Sequence, residues 1–135
     1  EKDYQQYFLV RDLISKNYKT KVYPCKTIRS SNGLALSSRN MLLSKTDIKT
    51  SGLIAHKLIK LKRSLLTLSR YKNNYSKKSR ELIQKTKRNL IKKFNIKIEY
   101  LECRNLIDLS KDLHNKPFKL FISYYLNSVR LIDNF

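Results

Sequence analysis

The first apolar pattern along the chain has helical spacing and follows a capping signal. Asp3 can cap a helix, and Gln6 lies three residues later, where its side chain can reach back to the start. Three apolar residues then fall on one face of a helix. They are Tyr7, Val10 and Ile14. The pattern predicts a helix over residues 3–17.

Two longer helices are predicted in the middle of the chain. Ser44 followed by Asp47 is a second capping signal, and an apolar stripe with steps of three and four residues follows it. The stripe comprises Ile54, Leu58, Leu61, Leu65 and Leu68. We therefore predict a helix over 45–69, a break at Asn73-Asn74 and a third helix over 76–94. The two helices are expected to pair as an antiparallel hairpin.

The pattern changes to alternation after residue 95, where apolar and charged residues alternate from Ile96 to Tyr100. The aromatic and β-branched run 118–126 predicts a buried strand, and Asn127-Ser128 predicts a hairpin turn into a return strand over 129–132. Residues 106–114 have no clear pattern. Near the start of the chain, Lys21–Tyr23 predicts a short strand, and 27–40 predicts a structured loop.

The fold class that follows is α+β, with a helical hairpin packed on a roughly three-stranded antiparallel sheet. The chain of 135 residues is 41% hydrophobic and 10% aromatic, which suits a folded domain and excludes a disordered tail. It carries only two glycines and two prolines, so long helices are easily accommodated.

The net charge of +20 is extreme for this length. We interpret most of it as a lysine-rich composition spread over solvated faces, because the lysines are not confined to one block. The alternative is a basic helical nucleic-acid-binding module, for which the stretch Lys57–Lys93 carries one acidic residue, Glu81. Against it, aromatic residues are not interleaved there for base stacking.

The cysteines and histidines predict no metal site, and no membrane segment is expected. Cys25, Cys103, His56 and His114 are far apart and match no metal-ligand spacing. The longest apolar run, Leu120–Leu126, is too short to span a bilayer. No signal peptide is visible, so a reduced, cytoplasmic setting is expected.

Two short polar segments are candidates for chemistry. The segment 1–6, Glu-Lys-Asp-Tyr-Gln-Gln, opens a helix, where backbone N–H groups favour an anion and Lys2 adds a positive charge. The segment 36–39, Leu-Ser-Ser-Arg, offers two hydroxyls and a guanidinium suited to a polyphosphate. Taken alone, each is equally typical of a structural cap or turn.

Together with the intervening sequence, these segments closely resemble the pantothenate synthetase family, whose members are also called pantoate–β-alanine ligases. The stretches that carry the resemblance, in order, are EKDYQQ at 1–6, PCKTIR at 24–29, GLALSSRN at 33–40 and RLIDN at 130–134. The resemblance covers essentially the whole chain and corresponds to the C-terminal half of a family chain about twice as long.

The resemblance implies an ATP-dependent condensation of pantoate with β-alanine through an acyl adenylate. It also implies that Lys2 and Arg39 are catalytic, that Gln6 binds pantoate and that Mg²⁺ accompanies ATP, with Asp3 as its candidate ligand. Lys2 and Arg39 are also among the implied ATP-binding residues. These are Glu1, Lys2, Asp3, Ile28, Leu36, Ser37, Ser38 and Arg39.

The resemblance further divides the chain into the end of a Rossmann-like nucleotide-binding domain, residues 1–28, and a C-terminal lid domain, residues 29–135. It implies a homodimer for the complete enzyme. The family's N-terminal half carries a catalytic histidine motif and a second pantoate glutamine, neither of which this sequence contains. The isolated chain is therefore expected to be inactive. A degraded or split gene product that keeps the fold without the activity is the remaining alternative.

Overall fold

A computed structural model describes residues 2–69, 75–111, 113 and 116–135 of the chain. Its regular elements, in chain order, are α1 Tyr4–Asn17, a 3₁₀ helix Ser38–Leu42, α2 Lys45–Ser69, α3 Tyr75–Phe94, β1 Lys97–Asn105, β2 Phe118–Leu126 and β3 Val129–Asn134. The predicted α+β class is confirmed. The predicted break at Asn73-Asn74 lies outside the described residues.

The predicted helices are present with nearly the predicted ends. At the start of α2, the Ser44 backbone N–H donates to Asp47 Oδ2 (3.2 Å) and the Asp47 N–H donates to Ser44 Oγ (3.1 Å). This reciprocal pair satisfies two N–H groups that a helix start leaves without partners. The apolar stripe of α2 is buried against α3 and β2, and α3 also contacts β1.

The sheet has the strand order β1-β2-β3 and both pairings are antiparallel. The turn between β2 and β3 consists of Asn127 and Ser128, and Asn127 has a φ of 53°, a left-handed conformation that asparagine tolerates. One face of β2 joins the core formed with the helices, through Leu120, Ile122, Tyr124 and Leu126.

β1 contains an irregularity that changes which residues face the core. Ile96 and Ile98 are buried, but beyond the register shift between Ile98 and Tyr100 the buried residues are Leu101 and Cys103. A bulge adds one residue to a strand and so reverses the alternation beyond it. Even-numbered residues are therefore buried before the bulge, whereas odd-numbered residues are buried from Leu101 to Asn105.

Two local predictions are wrong. Residues 21–23 form no strand, because a strand needs a hydrogen-bonded partner and none of the described residues pairs with them. Asp3 occupies the N-cap position of α1, yet its side chain makes no capping hydrogen bond. Its carboxylate instead lies 3.7 Å from Lys2 Nζ.

None of the described helices is long and apolar enough to cross a lipid bilayer.

Candidate functional site

The loop before α2 is a tight, internally bonded turn. Arg29 and Ala35 form an antiparallel bridge, and the Leu36 N–H donates to the Ile28 carbonyl (2.9 Å). Gly33 closes the turn with a φ of +87°, a conformation that side-chain-bearing residues rarely adopt. The second arm of this turn leads directly into Ser37 and Arg39, so the turn forms the base of the segment predicted to bind phosphate.

Asn32 ties this turn to α2. Its Oδ1 accepts hydrogen bonds from Ser30 Oγ (2.6 Å) and the Leu34 N–H (3.1 Å), and its Nδ2 donates to the Ile48 carbonyl (2.9 Å). An aspartate could accept the first two bonds but could not donate the third. Asn32 thus keeps the turn and adds a link to the helix.

A half-buried ion pair joins the turn to the last strand. Arg29 donates from Nη1 to Asp133 Oδ2 (2.6 Å) and from Nη2 to Asp133 Oδ1 (2.9 Å), the two-pronged geometry that suits a guanidinium and a carboxylate. Burial raises the pKa of Asp133, and the hydrogen bonds from Arg29 act in the opposite direction. Arg29 also donates to the carbonyls of Gly33 and Asn134.

The start of the chain is held by the same strand end. Asn134 Nδ2 donates to the Lys2 carbonyl (2.8 Å). Tyr4, which is 7% exposed, packs on Phe121 of β2 with ring centroids 6.2 Å apart, and the Lys119 ammonium lies 5.3 Å from the centre of the Tyr4 ring. These contacts fix the first residues of α1 against the sheet, while most of the rest of α1 is exposed.

The structure brings most of the predicted site residues to two adjoining hollows. Lys2, Ser37 and Arg39 line a narrow cleft of about 10 Å³, room for roughly one water molecule. Five predicted residues line a wider groove of about 530 Å³. They are Lys2, Asp3, Gln6, Ile28 and Leu36. Lys2 borders both hollows and so connects them. Ser38 is exposed and borders neither, and Glu1 lies outside the described residues.

Other residues of the cleft were not assigned a role from sequence. Asn40, Tyr124, Arg130 and Asp133 line it. Asn40 Nδ2 donates to the Ala35 carbonyl (3.0 Å), while its buried Oδ1 has no hydrogen-bond partner. Arg130 and Asp133 belong to the RLIDN stretch, which carried the resemblance but no function. The signal was therefore present in the motif, whereas the meeting of the two segments required the fold.

The described residues contain no group of three or more His, Cys, Asp or Glu side chains that could hold a metal ion. Cys25 is an exposed thiol and Cys103 a buried one, with no disulfide between them. His56 is exposed on α2 and lines neither hollow. His114 is not among the described residues. Asp3 is the only acidic side chain among the described residues that line the groove.

Comparison with known proteins assigns the family. The family model described as pantoate-beta-alanine ligase matches residues 1–135. This chain belongs to the pantoate-beta-alanine ligase family. It is 36% identical over 136 residues to a pantothenate synthetase of Ruegeria sp., covering 99% of this chain and 46% of that protein. It is 30% identical over 138 residues to one from Flavobacterium psychrophilum, with coverages of 99% and 46%. The chain thus spans about half the length of these relatives.

Solved structures of family members share the fold. A pantothenate synthetase from Thermus thermophilus superposes with a TM-score of 0.77 at 24% identity, covering 100% of this chain and 47% of that one. A pantoate-beta-alanine ligase from Francisella tularensis superposes with a TM-score of 0.62 at 31% identity, covering 100% and 41%. The Francisella protein is described as complexed with beta-gamma ATP and beta-alanine.

Proposed function

We propose that this chain is the ATP-handling C-terminal part of an enzyme that condenses pantoate with β-alanine. The observation that carries the proposal is the shared cleft. Lys2, at the start of a helix, and Arg39, from a separate loop, border the same hollow in a chain of this family. Two cations from distant segments that meet at the narrow cleft suit a polyphosphate that lies in the adjoining groove of about 530 Å³, which Lys2 also borders.

The proposed reaction has two steps. In the first, a carboxylate oxygen of pantoate attacks the α-phosphorus of ATP, which forms a P–O bond and expels pyrophosphate as the α–β bridge breaks. In the second, the amine of β-alanine attacks the acyl carbon of pantoyl adenylate, a C–N bond forms and AMP leaves. The amine loses its proton to solvent. The products are pantothenate, AMP and pyrophosphate.

Lys2 and Arg39 are proposed to stabilise the charge that gathers on the α-phosphate and the departing pyrophosphate. Ser37 and Ser38 position the phosphates, Leu36 closes over the nucleotide, and the backbone at Ile28 meets the adenine. Gln6, with both donor and acceptor atoms, is proposed to bind pantoate. Glu1 is proposed to belong to the same ATP-binding segment.

Mg²⁺ is proposed to arrive with ATP rather than to occupy a site built by the protein. Asp3 supplies a single carboxylate at the groove, and Lys2 Nζ lies 3.7 Å from it. This donor set does not form a metal site by itself. It suits an ion that keeps its waters and phosphate oxygens as its other ligands.

The distribution of exposed apolar side chains supports a division of the chain and a need for another half. Most of the large apolar residues that are exposed in the described structure lie before residue 43. They are Leu9, Val10, Leu13, Tyr18, Tyr23, Ile28, Leu36, Met41 and Leu42. Such a concentration is typical of a surface that another domain or subunit covers. We propose that residues 1–28 belong to a nucleotide-binding domain completed by an N-terminal half, and that 29–135 form the lid. A cytoplasmic homodimer is part of the same proposal.

The test supplies the missing half. The N-terminal half of the Ruegeria pantothenate synthetase is added in trans to the 135-residue chain, and AMP and pantothenate are measured with ATP, pantoate and β-alanine. We expect turnover from the mixture and none from either half alone. Turnover by the 135-residue chain alone would overturn the proposed need for a second half. Absence of turnover from the mixture, with both halves shown to be bound to each other, would overturn the proposed function.

Two variants test the assigned residues in the same mixture. We expect Lys2→Ala and Arg39→Ala each to lower kcat by about 100-fold, with little change in the KM for pantoate, because removal of one donor to a developing charge typically has this effect. Lys92→Ala and Arg88→Ala, exposed cations on α3, are the matched controls and should leave kcat unchanged. A kcat near the wild-type value in either site variant contradicts the assignment.

A further inference from the structure

The two segments proposed to bind ATP meet through the end of β3. Lys2 belongs to the start of the chain, and residues 36–39 belong to the loop before α2. Neither segment reaches the other through a direct hydrogen bond among the described contacts. Asn134 contacts Lys2, and both Asp133 and Asn134 contact Arg29 at the base of the loop.

The loop side of this connection passes through Arg29. The Arg29 backbone pairs with Ala35 at the base of the loop, and its guanidinium donates to the Gly33 carbonyl (3.1 Å). The same guanidinium donates hydrogen bonds to both carboxylate oxygens of Asp133 and to the Asn134 carbonyl (3.0 Å). It also stacks on the ring of Phe135, with 4.5 Å from its carbon to the ring centre. A displacement of Arg29 would therefore displace the base of the loop.

On the side of Lys2, the connection runs through Asn134. Its Nδ2 donates to the Lys2 carbonyl (2.8 Å), across 132 positions in the sequence. Its own backbone N–H donates to Asp133 Oδ1 (2.8 Å), the oxygen that also accepts from Arg29 Nη2. One carboxylate oxygen thus joins the residue that holds the loop to the residue that holds Lys2.

We propose that Arg29, Asp133 and Asn134 form a positioning clamp that sets Lys2 against the loop 36–39 for the attack on the α-phosphate. This inference rests on the proposed function and assigns a role to Arg29 of the PCKTIR stretch and to the RLIDN stretch, which that function did not use. The three residues act through Lys2 and Arg39 and need not touch the substrate. They are positioning residues rather than catalytic ones.

The clamp predicts which step of the reaction depends on it. Pyrophosphate must be held and released in the first step, and it has left before the second. A misplaced loop should therefore slow adenylate formation and spare the attack of β-alanine on a preformed adenylate. A purely structural role would reduce both steps together, because it would lower the fraction of folded protein.

The experiment uses conservative variants of the 135-residue chain, completed by the Ruegeria N-terminal half. Asn134→Asp keeps the shape but removes the donor to Lys2, and Arg29→Lys keeps the charge but removes the two-pronged contact. Arg104→Lys is the matched control, because Arg104 makes a similar half-buried contact with Glu102 in the same sheet, at 2.7 Å and 2.9 Å. Pyrophosphate release without β-alanine measures the first step, and conversion of supplied pantoyl adenylate with β-alanine measures the second.

We expect each clamp variant to slow pyrophosphate release by about 10- to 100-fold, the range that small misplacements of catalytic groups produce. The second step should change by less than about threefold, and the control should match the wild type in both. In an Arg39→Ala background, the effect of Asn134→Asp should shrink, because the two residues act on one arrangement.

Equal losses in both steps, or no loss in either, would overturn the clamp. If Arg29→Lys fails to fold, as judged by circular dichroism, Asn134→Asp still decides the question because it leaves both partners of the Arg29–Asp133 ion pair in place. Failure of the wild-type mixture to release pyrophosphate would instead count against the proposed function, so the two failures are distinct.

Discussion

Gly52, inside α2, provides the sharpest test of how the site loop is attached to the fold. A Cβ at this position would lie 2.8 Å from both Cγ and Nδ2 of Asn32 and 2.9 Å from its Cβ. These separations are too short for non-bonded atoms. Rotation of the Asn32 amide does not relieve them, because the Cβ of Asn32 is among the clashing atoms. Gly52→Ala must therefore shift Asn32.

The magnitude follows from two opposing effects. Alanine favours a helix interior over glycine by about 1 kcal/mol. Shifting Asn32 disrupts three hydrogen bonds, to Ser30, Leu34 and Ile48, at about 1 kcal/mol each. The loss exceeds the gain, so Gly52→Ala should lower the free energy of unfolding by about 2 kcal/mol. Urea denaturation followed by far-ultraviolet circular dichroism measures it.

The control removes the obstacle. In an Asn32→Gly background none of the three clashing side-chain atoms remains, and Gly52→Ala should then raise the free energy of unfolding by about 1 kcal/mol, the helix-propensity gain alone. The sign of the effect thus depends on a residue twenty positions away. If Gly52→Ala is stabilising in the wild-type background, the hydrogen bonds that hold Asn32 are not as described and the reasoning fails.

Two further predictions concern the core beneath the site. Leu90→Ala should lower the free energy of unfolding by about 3 kcal/mol, because Leu90 is fully buried, while Leu53→Ala, at a side chain that is 54% exposed, should change it by less than about 0.5 kcal/mol in the same urea assay. Burial lowers the pKa of Lys62 from 10.5 to about 8, so between these values the unfolded chain binds a proton that the folded chain does not, and stability should rise with pH in this window. Cys103, whose pKa burial raises to about 12, has the opposite effect above 9.0, so the informative quantity is the difference in unfolding free energy between wild type and Lys62→Met. A difference that does not change from pH 8 to 10.5 contradicts the lowered pKa.

The helices and the three strands of the sheet were predictable because their signals are local. The stripe of α2 and the reciprocal bonds of Ser44 and Asp47 depend on residues a few positions apart. The predictions for Asp3 and for residues 21–23 failed because each depends on which partner the residue finds in the folded chain. Whether a carboxylate caps a helix depends on its competing partner, here Lys2, and whether an extended segment becomes a strand depends on a partner strand.

The candidate site divides in the same way. Lys2 and Arg39 were predicted from motifs that resemble a family, and the fold places them at one cleft. Arg29 and Asp133 are 104 positions apart in the sequence, so no local sequence pattern predicts their contact. The parity change in β1 leaves only a weak trace in the sequence, the adjacent apolar pair Tyr100-Leu101, because a bulge near Glu99 reverses the faces beyond it.

The site and the large positive charge are separate features of the molecule. Eight of the 20 residues of α3 are lysine or arginine and one is acidic, yet none of them borders the cleft or the groove that contain the predicted ATP residues. At physiological ionic strength, charges are screened over about 8 Å, so this face can influence the approach of a polyanion more than its binding at the cleft. The two roles of positive charge can therefore be distinguished by how each depends on salt concentration. If the basic face serves a nucleic acid, RNA affinity should fall steeply with salt and depend on α3. The proposed ligase chemistry should instead depend on Lys2 and Arg39 at any salt concentration, because cations that act on a bound triphosphate must touch it.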